Sequence, residues 1–195
     1  MPARGASDRD SALNHAEKSG NVPSPPRLPR LLSPVSMTSA VKRIGLISDT
    51  HALLRKEAVE ALRGSELIIH AGDVGKQEIL EELRKIAPVV AVRGNVDAEP
   101  WALTLPETAV AEAGSVLIYI LHDVNAMDLN PAASGFHIVV SGHSHKPAKT
   151  ERDGVLYINP GSAGPRRFQL PVTVALLRLG RTPYEVEFVD LEESR

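Results

Sequence analysis

Residues 41–51 read "VKRIGLISDTH". An apolar run of strand character ends on an aspartate and a histidine with one residue between them. In extended backbone, positions i and i+2 point the same way, so Asp49 and His51 are expected to leave the strand end toward one point. The texture recurs at residues 136–145, where "FHIVV" runs into "SGHSH" and offers His143 and His145 at the same spacing. One such pair reads equally well as a polar turn. The question is what the other strand ends carry.

Working outward from residue 41, the pattern alternates between short apolar runs and amphipathic segments. "ALLRKEAVEALRG" (52–64) predicts a helix closed by Gly64, "ELIIHAG" (66–72) a buried strand, "KQEILEELRKIA" (76–87) a helix stopped by Pro88, and "VVAVRG" (89–94) a third strand. This βαβαβ opening predicts a parallel sheet covered by helices. Beyond Trp101 the texture changes. "ETAVAEAG", "SVLIYILH", "FHIVVSG", "GVLYIN", "PVTVALLRL" and "YEVEFVD" predict strands with short turns, forming a second, antiparallel or mixed sheet packed on the first. Between them only "NAMDLNPAAS" (125–134) predicts a helix.

Residues 1–40 stand apart. "NVPSPPRLPRLLSPVS" (21–36) is proline-rich and lacks periodicity, so residues 1–40 are expected to be a disordered extension and residues 41–195 the single domain. Met37 lies just before the first strand and is a candidate native start. The bulk numbers exclude several classes. A net charge of −2 argues against extended nucleic acid as partner. No apolar run approaches the ~18 residues of a membrane span. With no cysteine there is no thiolate metal site, and a reducing compartment, the cytoplasm, is the expected location.

The strand ends share a chemistry. They run into Asp49-Thr50-His51, Gly72-Asp73, Gly94-Asn95-Val96-Asp97, His122, and Gly142-His143-Ser144-His145. In open α/β sheets ligands bind beyond the carboxyl ends of the strands. Oxygen and imidazole donors gathered on one rim exceed the needs of one tetrahedral ion and suit two ions sharing a carboxylate.

This ordered set, Asp-x-His, Gly-Asp, Gly-Asn-x-Asp, His, Gly-His-x-His, resembles the calcineurin-like metallophosphoesterase superfamily. The "GNVD" form and "NPGS" (159–162) look most like its small YfcE-type phosphodiesterase branch. The resemblance implies a two-sheet αββα sandwich and a hydrolase acting on small phosphate esters, foremost diesters. Phosphomonoesters and cyclic nucleotides are the alternatives. It implies that Asp49, His51 and His145 hold one divalent ion, that Asn95, His122 and His143 hold a second, and that Asp73 bridges them. Asp73, Asn95 and His122 thereby become the catalytic residues, through water acidified between the ions. Manganese comes first among the candidate metals, with iron, zinc, nickel, cobalt or magnesium as alternatives, and homo-oligomerisation is left open. The resemblance also implies a rival of another class, because a subunit of the eukaryotic retromer complex has this fold and serves as a scaffold.

Two positions depart from the family pattern. Relatives carry histidine, or cysteine in the YfcE-type branch, where this chain has Val96, which leaves no obvious general acid. Relatives commonly have glycine after the ligand histidine, where this chain has Asp123. Of the remaining polar residues, His70 is expected in the core or behind a ligand, and His15 and His137 as ordinary polar residues. Asp97 reads equally as a bond into the site or a turn aspartate, and Arg93 as a solvated strand end. Asn159, Gly161 and Ser162 read as a frame for the site or as a tight turn, and Arg166 and Arg167 as solvated loop residues or substrate contacts.

Overall fold

The computed structural model of the chain describes residues 43–180 and 182–192. The expectations for residues 1–40 and for Met37 lie outside the described residues.

Strands β1 (Arg43–Ile47), β2 (Leu67–His70) and β3 (Val89–Ala91) are parallel neighbours, joined by helices α1 (Lys56–Leu62) and α2 (Gln77–Arg84). β1 and β2 are buried on both faces, which is why they read as unbroken apolar runs. α2 turns Ile79, Leu80 and Leu83 inward along one stripe and ends before Pro88, which disfavours helix at the residue preceding it. α1 is shorter than its apolar pattern. His51 and Ala52 take left-handed backbone and Leu53 N–H closes a turn onto Thr50 C=O, so the helix begins only at Lys56.

The second sheet contains β4 (Thr108–Ala113), β5 (Val116–Leu121), β6 (Ile138–Val140), β7 (Ala148–Arg152) and β8 (Val155–Asn159), in the order β4-β5-β6-β8-β7. β9 (Thr173–Arg178) and β10 (Glu185–Asp190) differ from expectation. They return to the first sheet, β9 antiparallel to β1 and β10 antiparallel to β9, giving β10-β9-β1-β2-β3. β9 is buried on both faces, a pattern that suits an inner strand of either sheet. The two sheets close on a core that includes Ile44, Leu46, Ile69, Ile118, Ile120, Ile138 and Leu177. A second core, with Leu62, Leu80 and Leu83, lies under the helices.

The outer face of the second sheet shows Tyr119, Leu121, Val139 and Val155, packed against Met127, Leu129 and Phe136. The helix expected at residues 125–134 is absent. One 3-10 turn spans Val124–Ala126, and turns follow. Asn130 Oδ1 accepts from Ala133 N–H and Pro131 has no N–H to give, so the backbone there finds local partners outside a helix. No helix among the described residues is long and apolar enough to cross a membrane.

The carboxyl ends of β1, β2, β5 and β6 meet at one rim. Asp49 N–H donates to Gly72 C=O (3.0 Å), and Gly142 N–H to His122 C=O (2.9 Å). Each bond ties two loops of one sheet, and His143 N–H, donating to Asp49 Oδ2 at 3.1 Å, ties one sheet to the other.

Candidate metal centre

The loops reach the rim through tight left-handed turns. Asp49, His51, Asp73, His143 and His145 have φ of 54°, 44°, 54°, 68° and 58°. This corrects the extended geometry expected for the two i, i+2 pairs. Aspartate, asparagine and histidine enter this region more readily than other residues with a Cβ, so one residue choice serves both turn and donor. It also changes where the pairs aim. His145 meets His51, with ring centroids 5.1 Å apart, whereas His143 meets His122 edge-on at 5.2 Å. The two histidines of "GHSH" face adjoining halves of one cluster rather than a single point.

In one half, His145 Nε2 lies 3.2 Å from Asp49 Oδ1 and 3.2 Å from His51 Nε2. In the other, Asn95 Oδ1 lies 3.1 Å from both His122 Nε2 and His143 Nδ1. Asp73 joins them: its Oδ2 stands 3.4 Å from His122 Nε2 and 3.8 Å from His51 Nε2. Its Oδ1 accepts the Val96 N–H at 3.1 Å. Asp49, His51 and His145 place donor atoms within 4.8 Å of one another, as do Asp49, Asp73 and His122. All seven candidate ligands are therefore gathered at the rim. Asp123 stands at its edge, with Oδ2 3.8 Å from His143 Nε2 and Oδ1 accepting from Asn125 N–H.

The backing of this cluster is built from residues that sequence reading treated as even or minor. Asp97 accepts from Val74 N–H and Gly94 N–H through Oδ2 and from Gly75 N–H through Oδ1, at 2.8–3.1 Å. It thus ties the Asp73 loop to the Asn95 loop. A Cβ on Gly94 would collide with Asp73, and one on Gly142 would stand 2.7 Å from Asp49 Oδ2, so only glycine lets these loops close. His70 is wholly buried and bonds Thr50 Oγ1 at 3.0 Å, and Thr50 Oγ1 donates to Val74 C=O at 3.0 Å. Asn159 donates to Gly142 C=O and Ser144 Oγ, bracing the turn that carries His143. Ser162 Oγ donates to Asp49 C=O, and Ser48 Oγ to Gly161 C=O. Thr50 and Ser48 were missed, because a hydroxyl in a strand-end motif leaves no periodic signal. Arg93 pairs with Glu107 and bonds Leu105 C=O, and His137 Nδ1 accepts from Leu117 N–H, both away from the cluster.

The electrostatics point to a cation. Burial pushes the Asp49 carboxyl up to about 6, against hydrogen bonding to Ser48. Burial and the Arg167 charge push His145 down to about 4, and burial also lowers His51. For His122 burial opposes the charged form, but Asp73 and the Ala71 carbonyl outweigh it and raise the pKa. Burial works against the Asp73 carboxylate too, and His122 with the Val96 amide overcomes it, lowering that pKa. His122 Nδ1 lies 2.8 Å from the buried Ala71 carbonyl, so the proton sits there and Nε2 offers its lone pair to the cluster. Asp49 Oδ1 is buried without a hydrogen bond. An orphaned carboxylate oxygen, neutral imidazole nitrogens facing it and an amide oxygen form a donor set that fits divalent first-row metals.

Fold and cluster together define a metal-dependent phosphoesterase. A calcineurin-like phosphoesterase superfamily domain model matches residues 43–182, and the chain belongs to that superfamily. It is 34% identical over 158 residues to a probable metallophosphoesterase of Methanothermobacter thermautotrophicus, covering 75% of this chain and 91% of that one. An archaeal phosphodiesterase superposes with a TM-score of 0.65 at 24% identity, over 75% of this chain and 99% of that one. Vps29 of Entamoeba histolytica, solved in complex with zinc, superposes with a TM-score of 0.59 at 22% identity, over 77% and 99%.

Proposed function

We propose that the chain is a dinuclear phosphodiesterase, in which Asp49, His51 and His145 hold one ion, Asn95, His122 and His143 a second, and Asp73 both. The observation that carries this reading is the position of Asp73 Oδ2, 3.4 Å from His122 Nε2 and 3.8 Å from His51 Nε2. One carboxylate oxygen faces both halves of the donor set. When bound, divalent ions at such a site offset charge on phosphoryl oxygens and acidify water toward neutral pH.

The chain's own groups set the conditions for that chemistry. Val96 N–H occupies Asp73 Oδ1, which fixes the carboxylate plane and leaves Oδ2 aimed at the centre. The Ala71 carbonyl holds the His122 proton on Nδ1, so the ring cannot turn its N–H toward the centre. Asn95 contributes an oxygen without charge. The donor set therefore carries only the two charges of Asp49 and Asp73, and a pair of divalent ions there keeps a net positive field for a phosphate diester. Val96 exposes its side chain to solvent and supplies no proton to a departing alkoxide.

The test is turnover of bis(p-nitrophenyl) phosphate by chelator-treated protein reloaded with manganese, alongside metal content. Asp73→Asn should lose both ions and nearly all turnover. Wild-type rate with both ions retained in that variant would sink the assignment. The rival reading is a scaffold of the same fold, and Vps29 of Entamoeba histolytica, which shares the fold, was solved with zinc. Metal binding alone does not separate the two readings, and turnover does.

A further inference from the structure

The loop that follows "NPGS" carries a guanidinium into the metal centre. Arg167 Nη2 stands 3.4 Å from His51 Nε2, and its charge contributes to the low proton affinity of both His51 and His145. Its neighbour Arg166 is engaged elsewhere, with Nη1 3.0 Å from Glu192, a carboxylate that also faces Arg55 at 4.0 Å. Arg167 has no carboxylate ion pair among the described residues. The loop is not free to place it at random. Ala163 N–H donates to Ser48 C=O, Ser162 Oγ to Asp49 C=O, and Arg55 Nε to Gly164 C=O. A Cβ on Gly164 would collide with the carbonyls of Asp49 and Thr50, so the loop lies directly on the turn that carries Asp49 and His51. Ser162 bridges Val172 at the loop's base, and Leu170 N–H closes a turn onto Arg167 C=O.

A guanidinium seated 3.4 Å from a ring nitrogen of His51, with no carboxylate partner among the described residues, is poorly satisfied. Among the described residues His51 Nε2 is the one side-chain acceptor beside it, and that nitrogen is the one His51 would give to an ion. We infer that Arg167 is a substrate-binding residue, whose guanidinium takes the non-bridging oxygens of the phosphoryl group at the His51–His145 edge. The inference rests on the metal-centre reading above and assigns a role to a residue outside it. Guanidinium offers two parallel N–H groups to a phosphoryl face, which an ammonium cannot. The opposite edge carries Asp123 beside His143, so the rim is cationic at one end and anionic at the other. An anionic phosphoryl group is drawn to the Arg167 end.

The experiment compares the full-length chain with Arg167→Ala, Arg167→Lys and Arg166→Ala, all manganese-loaded. Calorimetry with inorganic phosphate reads binding, elemental analysis reads metal content, and steady-state kinetics on bis(p-nitrophenyl) phosphate read kcat and KM. Arg167→Ala should weaken phosphate binding and kcat/KM on the order of 10- to 100-fold, as loss of charge-assisted hydrogen bonds does, at unchanged metal content. Arg167→Lys should recover part of the loss. Arg166→Ala should stay within about twofold of wild type, because exposed charges contribute little. Phosphate affinity of Arg167→Ala within about twofold of wild type would overturn the inference. So would an equal loss in Arg166→Ala, or a loss of metal in Arg167→Ala, which would make Arg167 a support for His51. If wild type binds phosphate but turns over no diester, the phosphodiesterase reading fails while calorimetry still decides Arg167.

Discussion

The Nε2 atoms of His51 and His145 stand 3.2 Å apart, with Asp49 Oδ1 3.2 Å from His145. Two imidazole lone pairs at that distance repel unless a proton or a cation lies between them. Burial and the Arg167 charge push both rings away from the imidazolium form, so what lies between the two nitrogens is one neutral ring's own Nε2–H or a bound cation. The same burial holds the Asp49 carboxyl up at about 6. Without metal, then, the buried Asp49 carboxylate is a local source of instability that a bound cation would offset.

Manganese should accordingly raise the melting temperature, by about 2.7 kcal/mol of stability per ion at a hundredfold excess over Kd, and chelator should reverse it. Asp49→Asn should stabilise the metal-free protein and forfeit the gain from metal. An aspartate whose folded pKa is raised stabilises the fold most below its unfolded pKa of 3.8, and that contribution is lost as pH rises through about 6. At neutral pH in chelator, removing the charge should therefore stabilise the metal-free protein, by up to about 3 kcal/mol. The variant should gain little from manganese. Melting curves in chelator and in manganese check both halves; an Asp49→Asn protein that melts below wild type in chelator contradicts the account.

Asp97 accepts three backbone N–H groups, from Val74, Gly75 and Gly94. It touches no donor atom of the cluster, yet it fixes the two loops that bring Asp73 and Asn95 together. Asp97→Ala orphans all three amides and should cost about 2–5 kcal/mol of stability. Metal affinity should fall with it. Asp97→Asn keeps one acceptor oxygen and should lie between. Chemical denaturation with a metal titration tests this, and a fully stable Asp97→Ala would show the bonds to be replaceable by water.

How much of this was legible in advance depends on what each residue's signal required. The donors at the strand ends were legible because an apolar run that stops on Asp, Asn or His is rare without a reason. Their division into two halves came from the family resemblance and not from spacing, which hides the left-handed turns at His143 and His145. β7 went unseen because "AKTER" is an exposed edge strand with no inward face. β9 and β10 were seen as strands but placed in the wrong sheet, because periodicity records burial and not partner. Arg167 was legible only as a loop cation, and its aim depends on backbone bonds at Ser48, Asp49 and Gly164.

His70 gives the pH prediction. Complete burial pushes its pKa down to about 4 from 6.5. Between those values the unfolded chain binds a proton that the native ring does not, so stability is full above 6.5 and falls as pH drops toward 4. The slope opposes that of Asp49, so the variants must be read one at a time. In chelator, His70→Gln should flatten the acid limb by on the order of 2–3 kcal/mol relative to wild type. Its amide can still donate to Thr50, so turnover at pH 8 should persist. Parallel acid limbs for the two proteins would mean that the ring takes up a proton in the native state.

Val96 carries the last prediction. Its N–H is tied to Asp73 at 3.1 Å while its side chain is 46% exposed, so the backbone at this point is fixed against the metal centre and the side chain has room. An apolar group there gives no proton to a leaving alkoxide, help that is typically worth ~10²–10⁴-fold. A nitrophenolate leaves as a stable anion and needs none. Wild type should therefore cleave nitrophenyl diesters well and alkyl esters poorly. Val96→His places an imidazole on a backbone already anchored to Asp73. It should raise kcat/KM for an alkyl ester more than for a nitrophenyl ester, both measured with one metal at one pH. The ratio of the two changes is the quantity to watch, because altered folding or metal loading would move both substrates together. Equal changes would mean that the leaving group draws its proton from elsewhere on the rim, where Asp123, beside His143, is a carboxylate outside the donor set.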